Sequence, residues 1–168
     1  MNEYIILMTY AVVIGCGATI IMDLWAIMLK RFFGISSLNY AMVGRWIGHL
    51  PKGYLVHQNI AQSLPIKHEK ALGWLAHYLI GIAFAALLLV IYGLNWATHP
   101  RLLPALIIGI VTVLAPFFIL QPGMGAGIAA SKTPKPNVAR FRSLLAHTAF
   151  GFGLYISAGL VAILFPLS

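Results

Sequence analysis

Acidic side chains are almost missing from this chain: Glu3, Asp23 and Glu69 are the only three in 168 residues. A di-iron carboxylate bundle needs Glu-x-x-His pairs, and Glu69 is followed three residues later by Leu72, so that class is excluded. Cysteine is reduced to Cys16, which rules out an internal disulfide and any multi-cysteine zinc or iron–sulfur site. Charge of either sign makes up only 8% of the chain, where soluble proteins carry about 25%. With 61% of residues hydrophobic, the expected solvent is the bilayer.

What is present is a set of long apolar runs, at about residues 4–29, 70–96, 102–121 and 143–167. Each suffices for a helix at ~1.5 Å rise per residue across the ~30 Å hydrocarbon core. The fold class is therefore all-α: a four-helix transmembrane bundle of up-down topology, formed by one integral membrane domain over residues 1–168. Pro104 falls in the first turn of the third span, where it is tolerated, whereas Pro116 lies inside and should kink the helix or free a carbonyl. The first loop is long. From Ser37 as N-cap to Leu50, it places Tyr40, Val43 and Ile47 on one helical face and Arg45 and His49 on another. That pattern predicts an amphipathic interfacial helix, with Trp46 at headgroup level; its charges are either functional or simply solvated. Asn137 is a candidate cap for the last span, Trp96 is an interfacial aromatic, and His57 and His99 fall in loops.

The excess of 11 Lys and Arg is read as topology, and no nucleic-acid partner is expected. Lys30, Arg31, Arg45, Lys52, Lys67 and Lys70 lie in or beside the first loop; Lys132, Lys135, Arg140 and Arg142 lie in or beside the third; only Arg101 lies near the second. The first and third loops are then cytoplasmic, where they meet anionic lipids, and both termini are extracytoplasmic. Ala126 to Thr133 resembles a P-loop only superficially: Ser131 stands where Gly is required, and no strand precedes it.

Residues four apart stack on one line of a helix, so three stripes of small and polar residues stand out. They are Gly15, Thr19, Asp23; Glu69, Gly73, His77, Gly81; and Ser143, His147, Gly151, Tyr155, Gly159. Such stripes should face protein, because small residues let helices approach closely where lipid removes the hydrophobic drive. Asp23, His77 and His147 come out at similar depths, roughly 6 to 12 Å inside their helix ends at ~1.5 Å per residue, and are expected to act as one unit. With Arg45, His49, Glu69 and Gln121 they form the candidate ligand-binding set near the cytoplasmic face. Three classes fit. One is a binding or transport protein taking a proton, cation or amphiphile, helped by the Gly and Pro break after Gln121. The second is an intramembrane enzyme or redox protein with His77 and His147 as metal or haem ligands, the cofactor itself being undefined. The third is a structural subunit that assembles with itself or with a membrane partner.

The blocks Gly17-Ala-Thr-Ile-Ile-Met-Asp-Leu-Trp25, Tyr40-Ala-Met-Val-Gly-Arg-Trp-Ile-Gly-His-Leu-Pro-Lys-Gly53, Ala71-Leu-Gly-Trp-Leu-Ala-His-Tyr78, Ala115-Pro-Phe-Phe-Ile-Leu-Gln-Pro122 and Arg142-Ser-Leu-Leu-Ala-His-Thr-Ala-Phe-Gly151 carry a resemblance that covers nearly the whole chain. The chain resembles a bacterial family of small four-span inner-membrane proteins catalogued as a domain of unknown function. The resemblance implies a bacterial inner membrane and brings no activity or catalytic residue with it.

Overall fold

Asn2 starts the first helix by accepting the Tyr4 N–H on its side chain, and an unbroken apolar run carries α1 from Glu3 to Phe33. The structure, a computed structural model, describes residues 2–164. Five further α-helical segments and the last helix follow: α2 (Tyr40–His49), α3 (Glu69–Tyr92), α4 (Asn95–Thr98), α5 (Leu102–Val111), α6 (Gln121–Gly123) and α7 (Pro136–Leu164). Among the described residues there is no strand. Four helical stretches, Glu3–Phe33, Glu69–Tyr92, Leu102–Gly123 and Pro136–Leu164, are long and apolar enough to cross a membrane. The expected end of the last span, at residue 167, lies outside the described residues.

Local chemistry explains where these helices differ from the sequence expectation. α1 continues past Leu29 and stops at Gly34, whose φ of 65° lets its N–H bond the Lys30 carbonyl at 3.1 Å while Ile35 N–H reaches Leu29 at 3.3 Å. α3 stops at Tyr92, short of Trp96, because Gly93 turns the chain at φ 78° and α4 starts afresh. Trp96 is consequently buried, its indole N–H on the Arg101 carbonyl at 3.2 Å. α2 is capped by Asn39 and not by Ser37: the Asn39 side chain accepts the Ala41 N–H at 3.0 Å. Asn39→Ala should therefore cost about 1 kcal/mol in a thermal or denaturant unfolding measurement. Asn137 does not cap α7, which begins one residue earlier at Pro136; proline suits a first helical position because its missing N–H would be unpaired there anyway.

The chain forms two compact units. The first takes in Met1–Ser36, Tyr78–Thr112 and Leu145–Ser168. Its core includes Ile14, Ala18, Leu88, Leu89, Phe150 and Leu154, and its helices meet through small residues. A Cβ on Gly15 would stand 2.5 Å from Ile82 Cα, one on Gly153 2.8 Å from Ala18 Cα, and one on Gly109 2.5 Å from Gly151 Cα. These pairs run α1 antiparallel to α3 and to α7, and α5 antiparallel to α7. Two members of the expected α7 stripe depart from it: Tyr155 is exposed, and a Cβ on Gly159 would meet nothing within 4 Å.

The second unit takes in Ser37–His77 and Val113–Leu144. Here α2 crosses the first turns of α3 backbone to backbone. A Cβ on Gly44 would overlap the Glu69 carbonyl oxygen, and one on Gly73 the Tyr40 carbonyl oxygen. The third span changes form in this unit: Pro116–Leu120 is a π-turn, with Gln121 N–H bonding the Pro116 carbonyl five residues back. Proline inside the helix has thus been absorbed as a bulge.

Candidate functional site

Arg45 is buried on α2, so the polar side of that helix faces inward and its charge is not a solvated surface feature. Its Nε donates to Glu69 Oε2 at 2.8 Å and Nη2 to Oε1 at 2.9 Å, a fork-to-fork pair. Nη1 donates to the carbonyls of Ile60, Ala61 and Ser63 at 3.3, 3.2 and 3.0 Å. The hydrogen bond it donates to Glu69 holds the guanidinium above its ordinary pKa, against burial, which pulls the other way. Arg45 and Glu69 therefore tie α2, the start of α3 and the connecting loop together, with the cation neutralised in place.

One turn along α2, His49 is also buried, and its Nδ1 lies 2.9 Å from His57 Nε2. His57 bonds the Gly123 carbonyl through its backbone N–H at 2.9 Å, and its Nδ1 stands 3.3 Å from the same oxygen. If that Nδ1 carries the proton, its Nε2 is an acceptor and His49 must donate to it, which sets both tautomers from the network. Trp46 completes the arrangement, donating to the Leu55 carbonyl at 2.9 Å and packing where a Cβ on Gly123 would fall. His57, expected in a neutral loop position, is thus a clamp on the end of the third span. No periodic pattern marks it, since its partners are distant in sequence.

Gln121 sits at the top of the π-turn with its Nε2 donating to Ser143 Oγ at 3.4 Å. Its Oε1 is buried and has no hydrogen-bond partner among the described residues. Swapping the two amide atoms leaves a buried NH2 without a partner in the same place. An orphaned amide atom costs roughly 1–3 kcal/mol and calls for an explanation.

Also in the second unit, His77 Nε2 lies 2.9 Å from the Tyr40 hydroxyl, with the two ring centroids 4.4 Å apart and the planes tilted by 32°, beside Trp74. In the first unit, Asp23 accepts the Tyr78 hydroxyl at 3.1 Å. There, too, His147 Nδ1 lies 3.0 Å from Thr112 Oγ1, which itself donates to the Gly109 carbonyl at 2.6 Å. Because the Thr112 proton is committed, His147 Nδ1 must be the donor. Of the seven candidate residues, the structure joins Arg45 to Glu69 directly. Tyr40, His57, Tyr78 and Thr112 are partners that stripe counting did not find. Among the described residues, no three His, Cys, Asp or Glu side chains gather closely enough to hold a metal ion.

Four apolar helices with buried polar pairs define a multi-pass α-helical membrane protein. The chain belongs to the family described as Protein of unknown function (DUF2938), whose family model matches residues 12–161. No curated protein and no solved structure matches it.

Proposed function

We propose that this is a binding or transport protein of the bacterial inner membrane, taking a small polar solute into a site near the cytoplasmic face at the break in the third span. The observation that carries the reading is the Gln121 amide: one of its polar atoms is buried without a partner. A ligand supplying a hydroxyl, an ammonium or a cation would satisfy an oxygen there, and irregular helix geometry at membrane depth occurs where it is buried in protein or lines a water-filled cavity. The cytoplasmic placement rests on the basic residues, ten of which flank the first and third loops against Arg101 alone beside the second. The multi-pass arrangement with both termini extracytoplasmic follows from the same count.

The test first removes the chain's single native thiol, Cys16. In a Cys16→Ala background, Gln121→Cys is expected to react with a charged methanethiosulfonate applied to inside-out membrane vesicles and to resist it in right-side-out vesicles. A residue 121 thiol that reacts from neither side would leave no water path to the site, and the reading would fall. Labelling only from the extracytoplasmic side would reverse the orientation.

A further inference from the structure

Within the second unit, two histidines meet where the first loop is fastened to the end of the third span. His49 is buried on α2 and His57 is half-buried in the loop, their ring centroids 5.1 Å apart and His49 Nδ1 2.9 Å from His57 Nε2. From His57 onward the loop hangs on the third span by two backbone hydrogen bonds, His57 N–H to the Gly123 carbonyl at 2.9 Å and Ile60 N–H to the Met124 carbonyl at 3.1 Å. A Cβ on Gly125 would overlap the Gln58 carbonyl, so the two segments lie in direct contact.

Between two nitrogens 2.9 Å apart there is room for one hydrogen. The neutral pair supplies it, whichever ring carries it, and a pair holding one extra proton still keeps one lone pair to receive the bond. A second extra proton makes both nitrogens donors and sets two like charges face to face. The rings cannot stay as they are in that state. Moved apart, each takes a proton as an ordinary histidine does, so the open arrangement binds more protons than the closed one and acid favours it.

The surroundings offer the second charge no refuge. Arg45 on α2 is already a cation, and Lys52, just beyond α2, is another. Glu69 at the start of α3 interacts electrostatically with His49, but its oxygens are taken by the Arg45 fork and the Ile66 N–H. The Tyr54 ring stands 6.3 Å from His49 and 6.5 Å from His57. Residues 58–66 of the loop and 121–130 at the third span's end carry no titratable side chain, and the flanking Lys67, His68 and Lys132 are exposed.

We propose that the His49–His57 pair is an acid-operated clasp: neutral or singly charged, it holds the first loop against the end of the third span, and the second proton releases the loop. The clasp works whether or not a solute sits at Gln121.

Amide hydrogen exchange of the full chain in detergent, read by mass spectrometry over residues 54–62, follows the release through the His57 and Ile60 N–H groups. After correction for the intrinsic pH dependence of exchange, their protection should fall on the order of tenfold from pH 8 to pH 5, the worth of one proton refused by the closed pair when an ordinary histidine titrates at about 6.5. Protection in α5 should stay level. His49→Asn puts an amide where Nδ1 was, and His57→Gln puts one where Nε2 was. An amide can donate or accept, so it faces the remaining histidine in either protonation state, and the pH response at residues 57 and 60 should vanish. The same protection at pH 8 and pH 5 in the natural chain overturns the proposal. So does a tenfold fall that survives in a folded His49→Asn or His57→Gln chain, because the protons would then be acting elsewhere.

Discussion

Gly73→Ala is expected to unfold the second unit at a much lower temperature than the natural chain, and Gly44→Ala is expected to do the same. A Cβ at position 73 would overlap the Tyr40 carbonyl oxygen, and one at position 44 the Glu69 carbonyl oxygen. Both obstacles are backbone atoms of the facing helix, so no side-chain rotation makes room, and α2 must move off α3. That movement would stretch the Arg45–Glu69 fork at 2.8 and 2.9 Å and the Tyr40–His77 hydrogen bond at 2.9 Å together. Overpacking a tight contact costs typically 1–3 kcal/mol, and with hydrogen bonds lost as well the expectation is about 3 kcal/mol or more. For a domain of this size that is a fall in Tm of roughly 10 °C, read by scanning fluorimetry in detergent. Gly159→Ala is the control: its Cβ meets nothing within 4 Å, so it should be neutral or stabilising by up to about 1 kcal/mol through helix propensity. Equal effects at positions 73 and 159 would remove the case for a backbone crossing.

This contrast shows what the sequence discloses and what it hides. Long apolar runs separated by Gly and Pro were enough to reveal four spans, since each run exceeds what a membrane-crossing helix needs. The stripe Glu69, Gly73, His77, Gly81 was legible as a protein-facing line, and its members do meet α2 in one unit and α1 in the other. Gly159 sits on an equally regular line, yet a Cβ there would meet nothing within 4 Å, because periodicity identifies a face without saying whether a neighbour is there. The inward burial of Arg45 and His49 was hidden for a related reason. An amphipathic pattern has two sides, and only the loop residues Ile60, Ala61 and Ser63, which fold back with their carbonyls toward Arg45, decide which side is inside. Pro116 announced an irregularity, but the form it takes, a π-turn that leaves the Gln121 amide half satisfied, depends on tertiary packing.

Arg45→Lys is the second change expected to have a large effect, although it conserves charge. The guanidinium spans both Glu69 oxygens and three loop carbonyls at once, a task that needs donors fixed in a plane. A lysine ammonium is a compact point charge on a flexible stem. It can reach Glu69 or the loop, and whichever it leaves loses its partner. Arg45→Met removes the charge altogether, leaving the carboxylate, among the described residues, with the Ile66 N–H at 3.2 Å. Both variants should lower Tm by roughly 5–10 °C in detergent, the shift that loss of a few hydrogen bonds produces in a domain of this length. Pairing Arg45→Met with Glu69→Gln should cost less than the two single changes added, because the residues are in direct contact and the carboxylate left alone in the first variant is gone in the double one. If Arg45→Lys melts with the natural chain, the fork is not what fastens the first loop to α3, and Arg45 returns to the set of residues free to meet a ligand.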